Sequence, residues 1–301
     1  MKIYLQPDSY SRGIVRVADA LMKYKPDNVE LVLHAQDADF EIIHVTGRRD
    51  TVERRIAHLK AKGKPYAMIQ YCLRSTKAPH TKDWLNLWKG ARVVWSYYDL
   101  FKLLDDDRVC DLIDLNLKPV FNFYYQPLGV DPKIFYERET GHKDKTYTIA
   151  ASSQHALSEG VRECVFATKE AGKRMFFLGH ALRRGDDIVC KTKLTDDQVA
   201  EHFSDSKFVS GLRRTEGFEF PVIEGALCGA RPIVFDRPEM KKWYSEFAIF
   251  INEGSREEVI AELVRIFSIP ESFKMNEIEK EQIRKRFDWE RIITNFWKQI
   301  I

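Results

Sequence analysis

The sequence predicts an α/β protein built from two units, each a mostly parallel sheet with helices on both faces. Three observations predict it. The 301 residues, 44% of them hydrophobic, suffice for two cores of ordinary size. Short β-branched and aromatic runs alternate with amphipathic helical stretches along the chain, and such alternation calls for crossovers between parallel strands. Midway, the segment 126–145, QPLGVDPKIFYERETGHKDK, breaks the alternation with Pro127, Gly129, Pro132 and Gly141 and a charged end, so it reads as a linker.

The first unit opens with the strand KIYLQ, a loop holding Gly13, and IVRVADALMKY, in which Ile14, Val17, Ala18 and Leu21 keep helical spacing. VELVLH and FEIIHVTG follow as strands bounded by turn residues, and TVERRIAHLKAKG as a polar helix stopped by Gly63. The strand YAMIQYC, a helix around KDWLNLWKG, and the strands ARVVWSYY and KPVFNFYY complete the unit. After the linker come the strands TYTIAAS, KRMFFLG, DIVCK, KFVSG, ARPIVFD and FAIFIN, with helices between them.

Composition narrows the function. No stretch approaches the about 18 apolar residues of a membrane span, and MKIYLQPDSYSRG lacks the apolar run of a secretory signal, so a soluble, cytoplasmic protein is expected. The five cysteines are widely spread without a C-x-x-C pair and are expected reduced, and no structural zinc is expected. Asp105–Asp107 carries a D-x-D spacing that metal-dependent transferases of a different fold use, but such runs are common at helix ends, and no metal is expected.

The block EGFEFPVIEGALCGARPIVFD places Glu216 and Glu224 eight positions apart. Pro221 suits the first turn of a helix that stops at Gly229, so Glu216 and Gly217 lie in the entering loop and Glu224 about one turn inside. Loop N–H groups at Gly217 and Phe218, backed by the helix dipole, suit a diphosphate. Carboxylates repel phosphate but accept two hydrogen bonds from a vicinal diol. A ligand with diols at both ends and phosphates between is a nucleotide-sugar. The plainer reading is a pair of acids favoured by the helix start.

The wider stretch TEGFEFPVIEGALCGARPIVFD resembles the signature of glycosyltransferase family 4, E-G-F-G-x-P-x-x-E-A-x-A-x-G-x-P-V-V-x-x-D. Both glutamates, Gly217, Phe218, Pro221, Gly229 and Asp236 match. Gly225 and Leu227 stand where alanines are usual, Arg231 takes the second proline's place, and Pro232 comes one residue late. QPLGVDPKIF resembles the family's N-G-V-D-x-x-x-F linker, RFDWERIITNFW its terminal F-x-W helix, and SRGIVRVADAL a reduced glycine-rich first loop that keeps Gly13.

The resemblance implies a GT-B architecture: two Rossmann-like domains facing a central cleft. It implies an acceptor-binding domain at 1–128, a donor-binding domain at 129–286 and a C-terminal helix, 287–301, crossing back to the first domain. The implied activity is retaining, metal-independent transfer from a nucleotide-diphosphate sugar, a UDP-sugar favoured, with no cofactor. Glu216 takes the place of the residue that touches the donor sugar, and Glu224 that of the ribose ligand. The family's arginine and lysine diphosphate clamp falls on Gln154 and Glu159 here, so Arg213 and Arg214, with Lys191 and Arg12 behind them, are the candidate replacements. VVWSYYDL resembles the family's V-V-x-x-x-H-D-L, with Tyr98 in place of the histidine, next to Asp99.

Net charge is only +3, yet from Arg48 to Arg92 twelve Lys and Arg face three acids. Arg48, Arg49, Arg54 and Arg55, continued by Lys60, Lys62 and Lys64, form either a ridge for a polyanionic acceptor or a solvated helix face. Trp84, Trp88, Trp95, Tyr97, Tyr98, Tyr124 and Tyr125 lie near them as core rings or as platforms for unstacked bases. Three readings stay open: a transferase acting on hydroxylated or hydroxymethylated pyrimidines in phage DNA, a transferase for cell-envelope glycans or small molecules, and a non-catalytic GT-B-like binding protein.

Overall fold

The computed structural model describes residues 1–5, 12–45, 49–71, 81–100, 121–139, 145–152, 159–179, 187–214, 217–269 and 274–301. Two compact units emerge, one formed by Met1–Leu128 with Trp289–Ile301, the other by Gly129–Asp288.

Unit 1 holds β1 (Lys2–Leu5), α1 (Arg12–Lys23), β2 (Glu30–Leu31), β3 (Phe40–Val45), α2 (Arg49–Ala61), β4 (Tyr66–Gln70), α3 (Thr81–Trp88), β5 (Val94–Ser96) and β6 (Phe123–Tyr125). Its sheet has the order β2-β1-β3-β4-β5-β6 and every ladder is parallel. β3 and β4 are buried along their whole length, as the β-branched runs of a centrally placed parallel strand require. The run VELVLH yields only the two-residue β2, because this edge strand pairs β1 alone and the chain then turns through a 3₁₀ helix at Ala35–Asp37.

The last helix also belongs to unit 1. It is numbered α10 (Trp289–Ile300) in chain order, and it buries Ile292, Ile293, Phe296, Trp297 and Ile300. The Phe296 ring lies 5.1 Å from that of Trp95, and the Tyr124 hydroxyl donates to the Ile292 carbonyl at 2.8 Å. Burial pushes that hydroxyl up to about 12, against the opposing charge of Arg291.

Unit 2 holds β7 (Tyr147–Ser152), α4 (Val161–Glu170), β8 (Met175–Leu178), β9 (Ile188–Lys191), α5 (Asp196–Ser204) and β10 (Ser206–Gly211). It continues through α6 (Phe220–Leu227), β11 (Arg231–Phe235), α7 (Pro238–Tyr244), β12 (Ile249–Ile251), α8 (Arg256–Phe267) and α9 (Glu277–Arg286). The strand order is β12-β11-β10-β7-β8-β9, again wholly parallel. Strand alternation sorts the side chains between two faces. Ile149, Ala151, Phe208, Ile233 and Phe235 form one core with Val161 and Cys164 of α4 and Leu263 and Ile266 of α8. On the opposite face Val209 and Gly211 meet α6, and Phe176 stacks on His202 of α5 at 4.0 Å.

The segment after Leu128 is fastened into unit 2. Val130 N–H donates to the Phe287 carbonyl at 2.9 Å, and Arg138 bonds Asp197 at 2.7 Å. Burial alone would raise the Glu137 carboxyl, but the hydrogen bond from Lys280 and the charges of Lys145, Lys280 and Lys274 hold it below the ordinary value.

Gly225 departs from the alanine usual in the resembling family, and packing explains it. A Cβ at Gly225 would stand 2.6 Å from Cγ1 of Val209, so the missing methyl is what lets α6 lie this close to β10. Gly225→Ala is expected to destabilise the fold by about 1 to 3 kcal/mol, the usual cost of overpacking. Combining it with Val209→Ala is expected to cost less than the two changes summed. Urea unfolding midpoints of the three variants measure both effects.

Candidate functional site

In unit 2 the chain leaves β7 toward β8 on one side, while β10, its other neighbour, leads on to β11. Connections that part in opposite directions open a crevice beyond the carboxyl ends of the two strands, where open α/β sheets bind ligands. Ser152 ends β7 there, Glu159 and Gly160 precede α4, and Arg213, Gly217, Phe218 and Glu219 line the approach to α6. Gly160 has φ +65°, and a Cβ on it would lie 2.5 Å from Cβ of Leu212. The two loops therefore touch through a position only glycine fills.

Arg213 sits at the centre. Its Nη1 donates to Glu159 Oε2 and its Nη2 to the Ser152 carbonyl, while Nε lies 3.0 Å from Glu219 Oε2. Exposure of the three charged side chains is 8%, 8% and 5% for Arg213, Glu159 and Glu219, so this is a buried network with two carboxylates on one guanidinium. Glu159 precedes α4 and Glu219 caps α6, so each carboxylate also lies at the positive end of a helix. Glu219 is held from behind as well: its N–H donates to the Tyr244 hydroxyl at 2.7 Å.

Arg214 turns to the other face. Its Nη2 donates to Glu163 of α4 at 2.9 Å, its Nε stands 3.7 Å from Glu253, and its guanidinium lies 4.9 Å from the Phe235 ring centre. Arg237 approaches the same Glu253 at 4.0 Å and donates to the Arg213 carbonyl at 3.3 Å. Lys191 ends β9, two strands from β7 and thus about 10 Å from the crevice. Arg213 and Arg214, expected as phosphate ligands, are thus placed at the crevice but bonded to carboxylates, and Lys191 is not brought to it.

Glu224 lies within α6 and is 3% exposed. It is the one charged residue of FPVIEGAL, surrounded by buried Val222, Ile223, Gly225, Ala226 and Leu227. Burial pushes the Cys228 thiol up to about 12, and the nearby charge of Glu224 adds to the shift. Phe218 packs its ring among Phe220, Tyr244 and Phe287 at centroid distances of 5.8 to 6.0 Å, and Gly217 beside it is buried. Glu216 lies outside the described residues.

In unit 1 the connections after β1 and β3 part in the same way. Gly13 is the second residue of α1 and Arg49 opens α2. Arg48 lies outside the described residues. Arg54 is exposed on α2, whereas Arg55 donates from Nε and Nη2 to Glu41 of β3 at 2.8 and 2.6 Å, and Glu41 is 1% exposed. Tyr98 is buried after β5, with its N–H donating to Ser96 Oγ at 3.1 Å, and Asp99 beside it is half-buried. Trp84, Trp88 and Trp95 are core rings, while Tyr124 and Tyr125 are half-buried.

Several residues at these strand ends escape sequence reasoning. Glu219 and Arg237 join the unit 2 crevice through Arg213, which Glu219 approaches at 3.0 Å and to whose carbonyl Arg237 donates. In unit 1, His44 Nδ1 and Tyr71 Oη share a 2.8 Å hydrogen bond, their rings stacked with centres 5.7 Å apart. The histidine ending the apolar run FEIIHV was the available signal. Among the described residues no group of three or more His, Cys, Asp or Glu is placed to hold a metal ion, and no helix is long and apolar enough to cross a membrane.

No protein-family model and no curated protein matches the sequence. Solved structures do match its fold. Sucrose-phosphate synthase from Thermosynechococcus elongatus superposes with a TM-score of 0.71 at 11% identity, covering 100% of this chain and 98% of that one. HepE of Anabaena, in complex with UDP and glucose, gives 0.71 at 10% identity over 99% and 98% of the two chains. A trehalose-6-phosphate synthase structure, described as bearing on glycosyltransfer with retention, gives 0.67 at 13% identity over 96% and 78%. The chain has the α/β fold of two Rossmann-like sheets that its sequence leads one to expect, the GT-B fold.

Removing the central guanidinium tests the crevice as built. Arg213→Met leaves two buried carboxylates facing each other and is expected to destabilise unit 2 by about 3 to 5 kcal/mol, as breaking a buried ion pair does. Adding Glu159→Met is expected to restore part of the loss, read from denaturant unfolding of the single and double variants.

Proposed function

We propose that this chain is a retaining glycosyltransferase that takes its sugar from a nucleotide-diphosphate sugar, a UDP-sugar by preference, and passes it to a hydroxyl group. The observation that carries the reading is Glu224, a carboxylate buried in an otherwise apolar helix behind the crevice of unit 2. Its place one turn inside the helix that opens on the crevice is where a carboxylate reaches a nucleoside, and vicinal ribose hydroxyls donate to a carboxylate in pairs. The fold match to HepE with UDP and glucose supports the donor, and the match to the trehalose-6-phosphate synthase supports retention.

In this reading Glu224 holds the ribose and Glu216 the hydroxyls of the transferred sugar. The diphosphate lies at the start of α6, near the backbone of Gly217 and Phe218, where the helix end favours negative charge. The acceptor oxygen attacks the anomeric carbon on the face that the diphosphate leaves. An oxygen of the leaving phosphate takes the acceptor's proton, so no protein base of fixed identity is needed. The roles of Gly13, Tyr98 and Asp99 rest on the sequence resemblance alone.

For the acceptor we propose an anionic polymer, with a hydroxylated or hydroxymethylated pyrimidine of phage DNA as the hydroxyl donor. Its support is the excess of cations between Arg48 and Arg92. A target base leaves the stack to be reached, at a cost of a few kcal/mol by the usual estimate.

Glu224→Ala is expected to weaken UDP binding by about 1.5 to 3 kcal/mol, the range for hydrogen bonds to a charged group. Unchanged affinity in titration calorimetry removes Glu224 from the site, and absence of any UDP-sugar turnover removes the enzyme. Reversing the charges of Arg48, Arg49 and Arg54 is expected to flatten the salt dependence of DNA binding. Arg55 is left in place there, since reversing it strands Glu41. A slope as steep as that of the unaltered chain rules the ridge out as the acceptor contact.

A further inference from the structure

The crevice of unit 2 has the parts of an anion site: a guanidinium, two helix starts and loops that touch through Gly160. In this chain those parts are already engaged by carboxylates of the protein. Arg213 donates from Nη1 to Glu159 and from Nη2 to the Ser152 carbonyl, and its charge is paired with Glu219 3.0 Å from Nε. Of these partners Glu219 is part of the α6 cap and is fixed by Tyr244, and Ser152 contributes backbone from the end of β7. Glu159 accepts from Arg213 through its side-chain carboxylate. It stands just ahead of the α4 cap, where a phosphate oxygen would meet both Arg213 and the helix start.

We propose that Glu159 is a resident anion of the crevice, a specificity-determining residue that occupies the place of a ligand phosphate on Arg213. The inference rests on the donor reading above. A nucleotide diphosphate then binds against a carboxylate and gains from Arg213 only by displacing it, so the site favours ligands gripped through sugar and ribose hydroxyls over ligands gripped through phosphate.

The test is titration calorimetry of UDP into the full chain and its Glu159→Gln and Glu159→Ala variants, at two salt concentrations. Glutamine keeps a hydrogen-bond acceptor for Arg213, so the fold is retained while the charge is lost. Both variants are expected to bind UDP about 10-fold tighter than the unaltered chain, with a steeper loss of affinity as salt rises, since a guanidinium has been released to phosphate. Glu257→Gln removes the same charge from an exposed position at the start of α8, also beyond the carboxyl ends of the strands, and is expected to change affinity less than about 2-fold, as a screened surface charge does. Unchanged or weaker UDP binding by the Glu159 variants overturns the inference while leaving the donor reading intact, and so does an equal gain in Glu257→Gln. Failure of both Glu159 variants to fold overturns it too, by making Glu159 a structural strut. If neither the unaltered chain nor the variants bind UDP, the donor reading falls and takes this inference with it.

Discussion

One guanidinium joins the loops that flank the crevice of unit 2. Arg213 reaches the end of β7, 61 positions back along the chain, the approach to α4, 54 positions back, and the nearby cap of α6 at once. Without that link the loops flanking the crevice would be held by backbone contacts such as Gly160 against Leu212 and by the Tyr244 hydroxyl behind Glu219. A planar guanidinium can donate to two acceptors in fixed directions and still spread its charge to a third group, which an ammonium group does less well. The geometry of the candidate donor site is therefore an electrostatic construction as much as a packed one.

That construction shapes the charge the crevice presents. Arg213 meets Glu159 and Glu219, Arg214 meets Glu163 and Glu253, and Arg237 shares Glu253 and approaches Glu239. Carboxylates outnumber guanidiniums in this group, so its arginines are not a reservoir of free positive charge. Phosphate stabilisation in such a site falls to peptide N–H groups and helix starts, whose direction is set by the fold. Under the proposed donor reading, binding strength then has to come from the sugar and the ribose, where carboxylates are the right partners.

The sequence made the outline of this fold readable and left the connections between elements hidden. Pro221 and Gly229 bracket α6 because they act within a few residues, and the alternation of apolar runs with helices led to two parallel sheets for the same local reason. Gly225 was an unexplained departure until Val209 on the neighbouring strand accounted for it. Arg213 and Glu159 are 54 positions apart, so no local pattern couples them. Arg55 looked like part of a solvent-facing ridge, yet Glu41 in the adjacent strand engages it. Lys191 reads as a cation near a strand end, but strand order places that end at the sheet's edge. Glu216 and Arg48 lie outside the described residues, so their roles remain with the sequence argument.

The discontinuous make-up of unit 1 leaves it the more vulnerable of the two to truncation. Its core takes Ile292, Ile293, Phe296, Trp297 and Ile300 from α10, the last helix of the chain. Unit 1 therefore cannot close without Trp289–Ile301, whereas Gly129–Asp288 draws its core from one continuous stretch of chain. A chain without Trp289–Ile301 would keep every residue of the continuous unit yet leave an apolar sheet face of the other uncovered, a mark for chaperones and proteases.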